Sequence, residues 1–424
     1  MSSVPSTVGA VHDLPLGPLD RCQVCGGREL ERILDLGHQP PCDSLLTPAQ
    51  LREAEARYPL NFTVCTTCWL AQIDYVVAPE VLFHPDYPYR SGITASLRHN
   101  LHATAETVIE RASVEPDSLV VDIGSNDGTL LLGFAQRGMR VLGVEATNVA
   151  RIAIEDGVET VQAFFDEELG AQLRDEYRPA KVITATNMFA HVQNLGDLMR
   201  GVSLLLDDGG TFVTESHYLL DLLQTVQYDS IYHEHLKFYS LRPLIKLFEP
   251  YGFTLTDVDR IPNYGGSIRV YAVKGDAPVS SRVEELLAEE DRAGLYGVDA
   301  FRRFGDAARA SKRALRAMLS DLGKEGHLVP GIGCPGRAST LLNYAGIDPD
   351  AMPYIAEQSS SLKLGLALPG THIPVVDEQR LFDEQPAYAL MLSWHYAEPI
   401  IAALRKRGLQ SSIIVPLPEL RVLT

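Results

Sequence analysis

The sequence predicts an α/β protein in three parts: a small N-terminal zinc-binding module, a central Rossmann-like domain with a parallel sheet, and a C-terminal α/β domain. Three observations carry this. Two CxxC pairs stand near the N-terminus; VVDIGSNDGTLL at residues 120–131 reads as a buried strand, a glycine turn and a helix start; and an alternation of strands and helices follows it, then begins again past residue 275. A length of 424 residues suits roughly three domains, and 46% hydrophobic residues is enough for their cores. The expected divisions are 1–79, 80–275 and 276–424.

A net charge of −18 disfavours binding to a phosphate backbone, so nucleic acid is not expected as a partner. The N-terminus lacks a basic segment followed by an apolar stretch, and no later run approaches the length of a bilayer span. No membrane partner, a cytoplasmic location and a monomer are therefore expected. Six cysteines in such a chain argue for metal or chance more than for disulfides.

Residues 1–19 are small and polar with scattered proline and are expected to fray. CQVC at 22–25 and CTTC at 65–68 then offer four thiolates, Cys22, Cys25, Cys65 and Cys68, that can close a tetrahedral zinc site. A redox CxxC is the rival, but thiol exchange does not call for a pair of pairs. Four cysteine ligands leave no open position, so the zinc is expected to be structural. Cys42, in PPCDS, reads as a buried or loop cysteine rather than a ligand. VLFHPDYPYRSG at 81–92, with three aromatics and two prolines, is either a pocket wall or a packed linker.

In the central domain strands are expected at 118–123, 141–145, 181–186 and 211–216, with a short one before Phe164 and Phe165, and helices at 129–138 and 148–156. The turn after Asp122 passes Gly124, Asn126, Asp127 and Gly128, where backbone N–H groups can approach a ligand closely. Glu145 ends the next strand, about twenty residues on, where such folds place a carboxylate for ribose hydroxyls. GSNDG is neither a dinucleotide GxGxxG nor a P-loop, which favours S-adenosylmethionine over NAD or ATP. A turn whose glycines serve only helix packing is the plainer alternative. Phe165 or Phe164 is placed to flank an adenine or simply to fill the core.

Asn187 and His191 fall just past the strand at 181–186, on the edge where open α/β sheets bind ligands. Further on, IYHEHLKFY at 231–239 gathers ionisable side chains. His233 and His235 at i and i+2 make a poor zinc pair, unlike HExxH, whereas His235 suits proton transfer with Glu234 or Tyr232 orienting it or the substrate. An incidental polar cluster is the remaining reading. Strands at 252–260 and 267–273 are expected as an antiparallel hairpin, followed by charged helices to about residue 324. The last domain is expected to hold a strand near 329–334, a helix at 339–345, and strands at 353–356, 390–394 and 412–415. Gly331, Gly333 and Gly336 with Arg337 form a turn suited to a diphosphate or to helix packing.

Taken in order, CQVC with CTTC, YPYRSG, VVDIGSNDGTLL, NMFAHV, YHEH, GGSIRVY, STLLNYAGI, LPGTHIPV and IIVPLPE resemble the nucleotide-sugar C-methyltransferases of antibiotic deoxysugar pathways over nearly the full length. The resemblance implies a zinc module, a class I S-adenosylmethionine domain and a C-terminal domain that helps bind a TDP-linked 4-keto sugar. It implies methyl transfer to carbon beside the ketone, most expected at C-3, with C-5 the alternative. Tyr232, Glu234 and His235 match the reactive YHEH motif, Asn187 and His191 neighbouring pocket positions, and Tyr87 or Tyr89 the aromatic loop. Two positions depart from the family pattern: Tyr264 stands where a histidine is expected before the GGS turn, and CPGR at 334–337 replaces a turn with small residues and lysine. An NAD-dependent sugar-nucleotide oxidoreductase or epimerase, and a non-catalytic zinc-ribbon interaction protein, are the rival functional classes.

Overall fold

The Leu119–Ile123 strand is buried at all five positions, which is why its sequence, Asp122 apart, runs apolar instead of alternating. In the computed structural model, which describes residue 13, residues 15–83, residue 92 and residues 95–424, it lies inside a seven-stranded sheet. The order across that sheet is Phe253–Ile261, Ser267–Lys274, Leu206–His217, Ala180–Thr186, Leu119–Ile123, Arg140–Val144 and Thr160–Val161. The last five run parallel; Ser267–Lys274 is antiparallel to both neighbours, as the expected hairpin requires. The chain starts at the middle, steps outward to one side, then crosses back to Ala180–Thr186. A crevice at such a reversal, beyond the carboxyl ends of the strands, is where these sheets take ligands.

Strand 206–217 begins earlier than expected, because a register shift between Leu206 and Thr211 absorbs the DDGG stretch that reads locally as a turn. Helix Thr129–Ala135 is shorter than expected and leads into a turn closed by Gly138 at φ 83°.

The N-terminal module is an antiparallel sheet of Leu30–Gln39, Tyr58–Cys65 and Ala71–Ile73, and its fourth strand, Lys237–Phe238, comes from the central domain. The YHEH stretch is thus pinned between two sheets. Gln23 Nε2 and the Ile73 N–H both donate to the Leu236 carbonyl, at 3.0 and 3.1 Å, while the Leu236 N–H donates to Ala190 O at 3.1 Å.

Helices Ser281–Arg292 and Val298–Lys324 lead to the C-terminal sheet, ordered Val375–Asp377, Ile355–Glu357, Gly331–Ile332, Tyr388–Met391, Ser412–Val415 and Arg421–Leu423. Only the last strand is antiparallel. The strands at 375–377 and 421–423 are additions to the expected set; three residues each are too few to show a period. No helix among the described residues is long and apolar enough to cross a membrane.

Candidate active site

The four ligand atoms of Cys22, Cys25, Cys65 and Cys68 lie within 4.8 Å of one another, the only such cluster of potential metal ligands among the described residues. Zn–S bonds of about 2.3 Å in a tetrahedron set sulfur atoms about 3.8 Å apart. The sulfurs of Cys22 and Cys68 are 3.4 Å apart and those of Cys25 and Cys65 3.6 Å, and all four cysteines are free, so the donor set fits zinc. The Val24 and Cys25 N–H groups point at the Cys22 sulfur, the arrangement that supports a thiolate. His233 and Glu234 do not join a metal cluster. His233 turns toward the N-terminal sheet, its Nε2 3.1 Å from Pro59 O and its ring edge-on to Tyr58.

The turn after Asp122 allows close approach to its backbone. Gly124 has φ 74°, and a Cβ there would come 2.9 Å from Met188; Gly128, also at φ 74°, would strike Ala153 and Val158. Asn126 sits at φ 51°, and its N–H donates to Glu145 Oε2 at 2.9 Å. Glu145 Oε1 accepts from the Thr147 N–H and hydroxyl at 2.8 and 2.7 Å. These bonds fix the carboxylate at the turn and still leave acceptor capacity for a ribose. Asp122 faces across the reversal point instead: its Oδ1 accepts from the Thr184 hydroxyl at 2.6 Å, and burial, with the nearby Glu145 charge, pushes it up to about 7. Asp127 organises the loops, accepting from the Thr129 hydroxyl at 2.7 Å and from the Gly92 N–H at 2.8 Å. Tyr87 and Tyr89 lie outside the described residues. The Phe165 ring packs against Gly201 of helix Leu195–Leu205, while Phe164 is 57% exposed.

At the same strand ends three histidines converge. The His235 ring centroid is 4.9 Å from that of His191 and 4.7 Å from that of His217, and the Tyr232 ring lies over it at 3.9 Å. His235 Nδ1 is 2.7 Å from the Ser230 carbonyl, which can only accept, so Nδ1 carries the proton and Nε2 keeps its lone pair. Burial, reinforced by His217 and His191, holds His235 well below its usual range, and the imidazole is neutral at pH 7. Burial likewise pushes His191 down to about 4 and His217 to about 3, and drives the Tyr232 phenol well up, so it stays a donor. Three buried atoms around this cluster, His191 Nδ1, His217 Nε2 and Glu234 Oε2, have no partner among the described residues. Buried polar atoms are seldom left unpaired, so each of these calls for a partner, whether water or a bound molecule.

Asn187 is exposed at φ 55°, its N–H bonded to Glu215 O, and it marks the strand end beside this crevice. Arg337 is buried at the join of the domains, donating to Tyr264 O at 3.1 Å and Gln227 Oε1 at 3.4 Å and lying over the Trp394 ring. No role for His217 was read from the sequence, although it ends the strand beside the one that leads to His191. Cys42 is buried and outside the metal cluster, as expected, but its meeting with Glu234 joins segments 192 residues apart and left no local signal.

The chain is 34% identical over 412 residues to the C-methyltransferase NovU of Streptomyces niveus, a match spanning 96% of this chain and 97% of the relative. The chain belongs to this C-methyltransferase family. Family models agree part by part: a zinc binding domain at residues 22–83, a methyltransferase domain at 97–258 and a C-methyltransferase C-terminal domain at 262–418. Among solved structures, the magnesium protoporphyrin IX methyltransferase of Synechocystis PCC 6803 with bound S-adenosylmethionine is 12% identical, with 42% of this chain and 79% of that chain covered and a TM-score of 0.33. An S-adenosylmethionine-dependent methyltransferase of Anabaena variabilis ATCC 29413 is 18% identical, with 42% and 86% covered and a TM-score of 0.34.

This C-methyltransferase therefore carries a zinc module and an S-adenosylmethionine domain, as the sequence resemblance implies. Glu145→Ala should weaken S-adenosylmethionine binding about ten- to a hundred-fold in calorimetry, because a charge-assisted bond is worth about 1.5–3 kcal/mol. An unchanged dissociation constant would remove Glu145 from the ribose. Glu234 yields a pH prediction. Burial, followed by the Asp43 charge, pushes its carboxyl up to about 7, against bonds from the Cys42 side that lower it. Only the ionised carboxylate is a pure acceptor, so if Glu234 serves the reaction in that form kcat/KM should rise with pH through about 7, and the limb should vanish in Glu234→Gln. A limb that persists there belongs to another group.

Proposed function

We propose that the protein transfers a methyl group from S-adenosylmethionine to the carbon beside the ketone of a TDP-4-keto-6-deoxyhexose, at C-3, in the making of a branched deoxysugar. The observation that carries this is the histidine and tyrosine cluster at the strand ends, with its unpartnered buried atoms and the free Nε2 of His235. A C–H next to a ketone becomes nucleophilic only when a base removes its proton and donors hold the enolate oxygen.

His235 Nε2 is the base, its tautomer fixed by Ser230. Tyr232 donates to the enolate oxygen, and Glu234 accepts from a sugar hydroxyl through its unpartnered Oε2. His191 and Asn187 wall the pocket beside it, and Phe165 belongs to the adenine side. When bound, S-adenosylmethionine supplies the electrophilic methyl and its leaving group. Gly124, Asn126, Asp127, Gly128 and Glu145 form its cradle, with Asp122 tying the strands beneath. Arg337 donates to Gln227 and Tyr264 and lies 4.0 Å from the buried Asp229 Oδ1, and its remaining donors are offered to the diphosphate.

The test is a mass-spectrometric assay over a panel of TDP-linked 4-keto sugars with S-adenosylmethionine, the product's methyl placed by NMR. A gain of one methyl on carbon adjacent to the ketone is expected. Methylation at C-5 would shift the regiochemistry, and methylation on oxygen would sink the reading.

A further inference from the structure

The motif at 231–239 has an unmatched partner. Cys42, 2% exposed and outside the zinc cluster, places its sulfur 3.3 Å from Glu234 Oε1, and the other carboxylate oxygen of Glu234 is buried with no partner among the described residues. We propose that Cys42 is a positioning residue for Glu234: its thiol donates to one carboxylate oxygen and so fixes the other as the one that accepts from the substrate. This rests on the role given to Glu234 above.

The surroundings hold Cys42 in that place. Pro40 and Pro41 precede it and restrict the backbone of the approach. Asp43, next in the chain, pairs with Lys363 Nζ at 3.1 Å, and that ammonium also donates to Cys334 O at 2.9 Å in the C-terminal domain. On the same side helix Gly336–Ala345 begins, and a Cβ on Gly336 would come 3.1 Å from the Cys42 sulfur and 3.0 Å from Asp43 Oδ2. The thiol is therefore wedged among segments from all three parts of the chain, with Glu234 Oε1 at 3.3 Å its nearer acceptor and Asp43 Oδ2 at 3.8 Å the other. A carboxylate held by one oxygen has lost the rotation that would exchange its two ends, which is the ordering a substrate-binding acceptor needs.

The test compares Cys42→Ala, Cys42→Ser, Glu234→Gln and the double variant Cys42→Ala/Glu234→Gln in the zinc-loaded full chain. The readouts are solvent-deuterium exchange and methyl transfer with TDP-4-keto-6-deoxyglucose, together with zinc content, S-adenosylmethionine affinity and the infrared S–H stretch. Zinc-bound cysteines have no S–H, so only Cys42 and Cys334 contribute to that stretch. Cys42→Ala should slow the reaction about tenfold, the scale of one hydrogen bond, while Cys42→Ser, which keeps a donor, stays within about threefold. In the Glu234→Gln background Cys42→Ala should add no more than about twofold, and the Cys42 S–H band should move in Glu234→Gln.

Wild-type rates in Cys42→Ala beside a slow Glu234→Gln would overturn the proposal alone. So would effects that multiply in the double variant, or an S–H band indifferent to Glu234→Gln. Loss of zinc or cofactor binding in both Cys42 variants would make Cys42 a packing residue and overturn it too. Full activity in Glu234→Gln would remove the role of Glu234 and the proposal with it.

Discussion

His235→Ala is expected to lose about 10²–10⁴ in the rate of methyl transfer while keeping its fold and its affinity for S-adenosylmethionine. In the proposed mechanism the base acts before the methyl moves, so the step can be isolated. With S-adenosylhomocysteine in place of the cofactor, the wild-type protein should exchange the hydrogen beside the ketone with deuterated solvent, and the variant should not. His235 is separated from the cofactor turn in sequence, and its Nδ1 is committed to Ser230, so what the substitution removes is the free Nε2. Near wild-type exchange in a folded His235→Ala protein would transfer the role to His191, whose ring centroid lies 4.9 Å away. His233→Ala is the control: that ring faces Pro59 and Tyr58 in the N-terminal sheet, so its loss should affect stability more than exchange.

Removing the zinc is expected to have the second large effect. A structural zinc site contributes on the order of 10–16 kcal/mol of binding free energy that is coupled to folding. Here the module it closes also holds the reactive stretch, through the Lys237–Phe238 strand and through Gln23, which lies between Cys22 and Cys25 and donates to the Leu236 carbonyl. Cys22→Ser should abolish metal binding by elemental analysis and lower the thermal midpoint by more than about 10 °C. It should also speed amide exchange at Leu236 and Phe238, and methyl transfer should fall with it. A metal-free protein with an unchanged midpoint and slow exchange at those amides would show that the module folds and holds the stretch without its zinc.

Local pattern made much of the fold legible. Residues 119–123 are apolar except for Asp122 because both faces of that strand are covered, and Gly124 and Gly128 are glycines because the turn needs φ 74° at each. The order in which strands and helices alternate then restricts the sheet to few arrangements. Where period or length was missing, expectation fell short. The strands at 375–377 and 421–423 are three residues long, and DDGG at 207–210 looks like a turn although it lies inside a strand. Pairing with a neighbouring strand makes strands of the first two despite their length, whereas 207–210 pair with nothing and bulge between Leu206 and Thr211.

The sequence by itself determined the groupings that depend on residues close together in the chain: four thiolates in two CxxC pairs, a glycine turn with Glu145 one strand later, and YHEH as one short stretch. Tertiary structure alone decided which side chains meet. It set His217 and His191 against His235, turned His233 away to Pro59, brought Cys42 from the zinc module onto Glu234, and joined Arg337 to Tyr264 and Gln227 across the domains. Spacing along a strand or turn fixes direction over a few residues, because backbone geometry is local. Contact between segments far apart in sequence follows from how sheets and helices bury their apolar faces, and no short stretch of sequence carries that information.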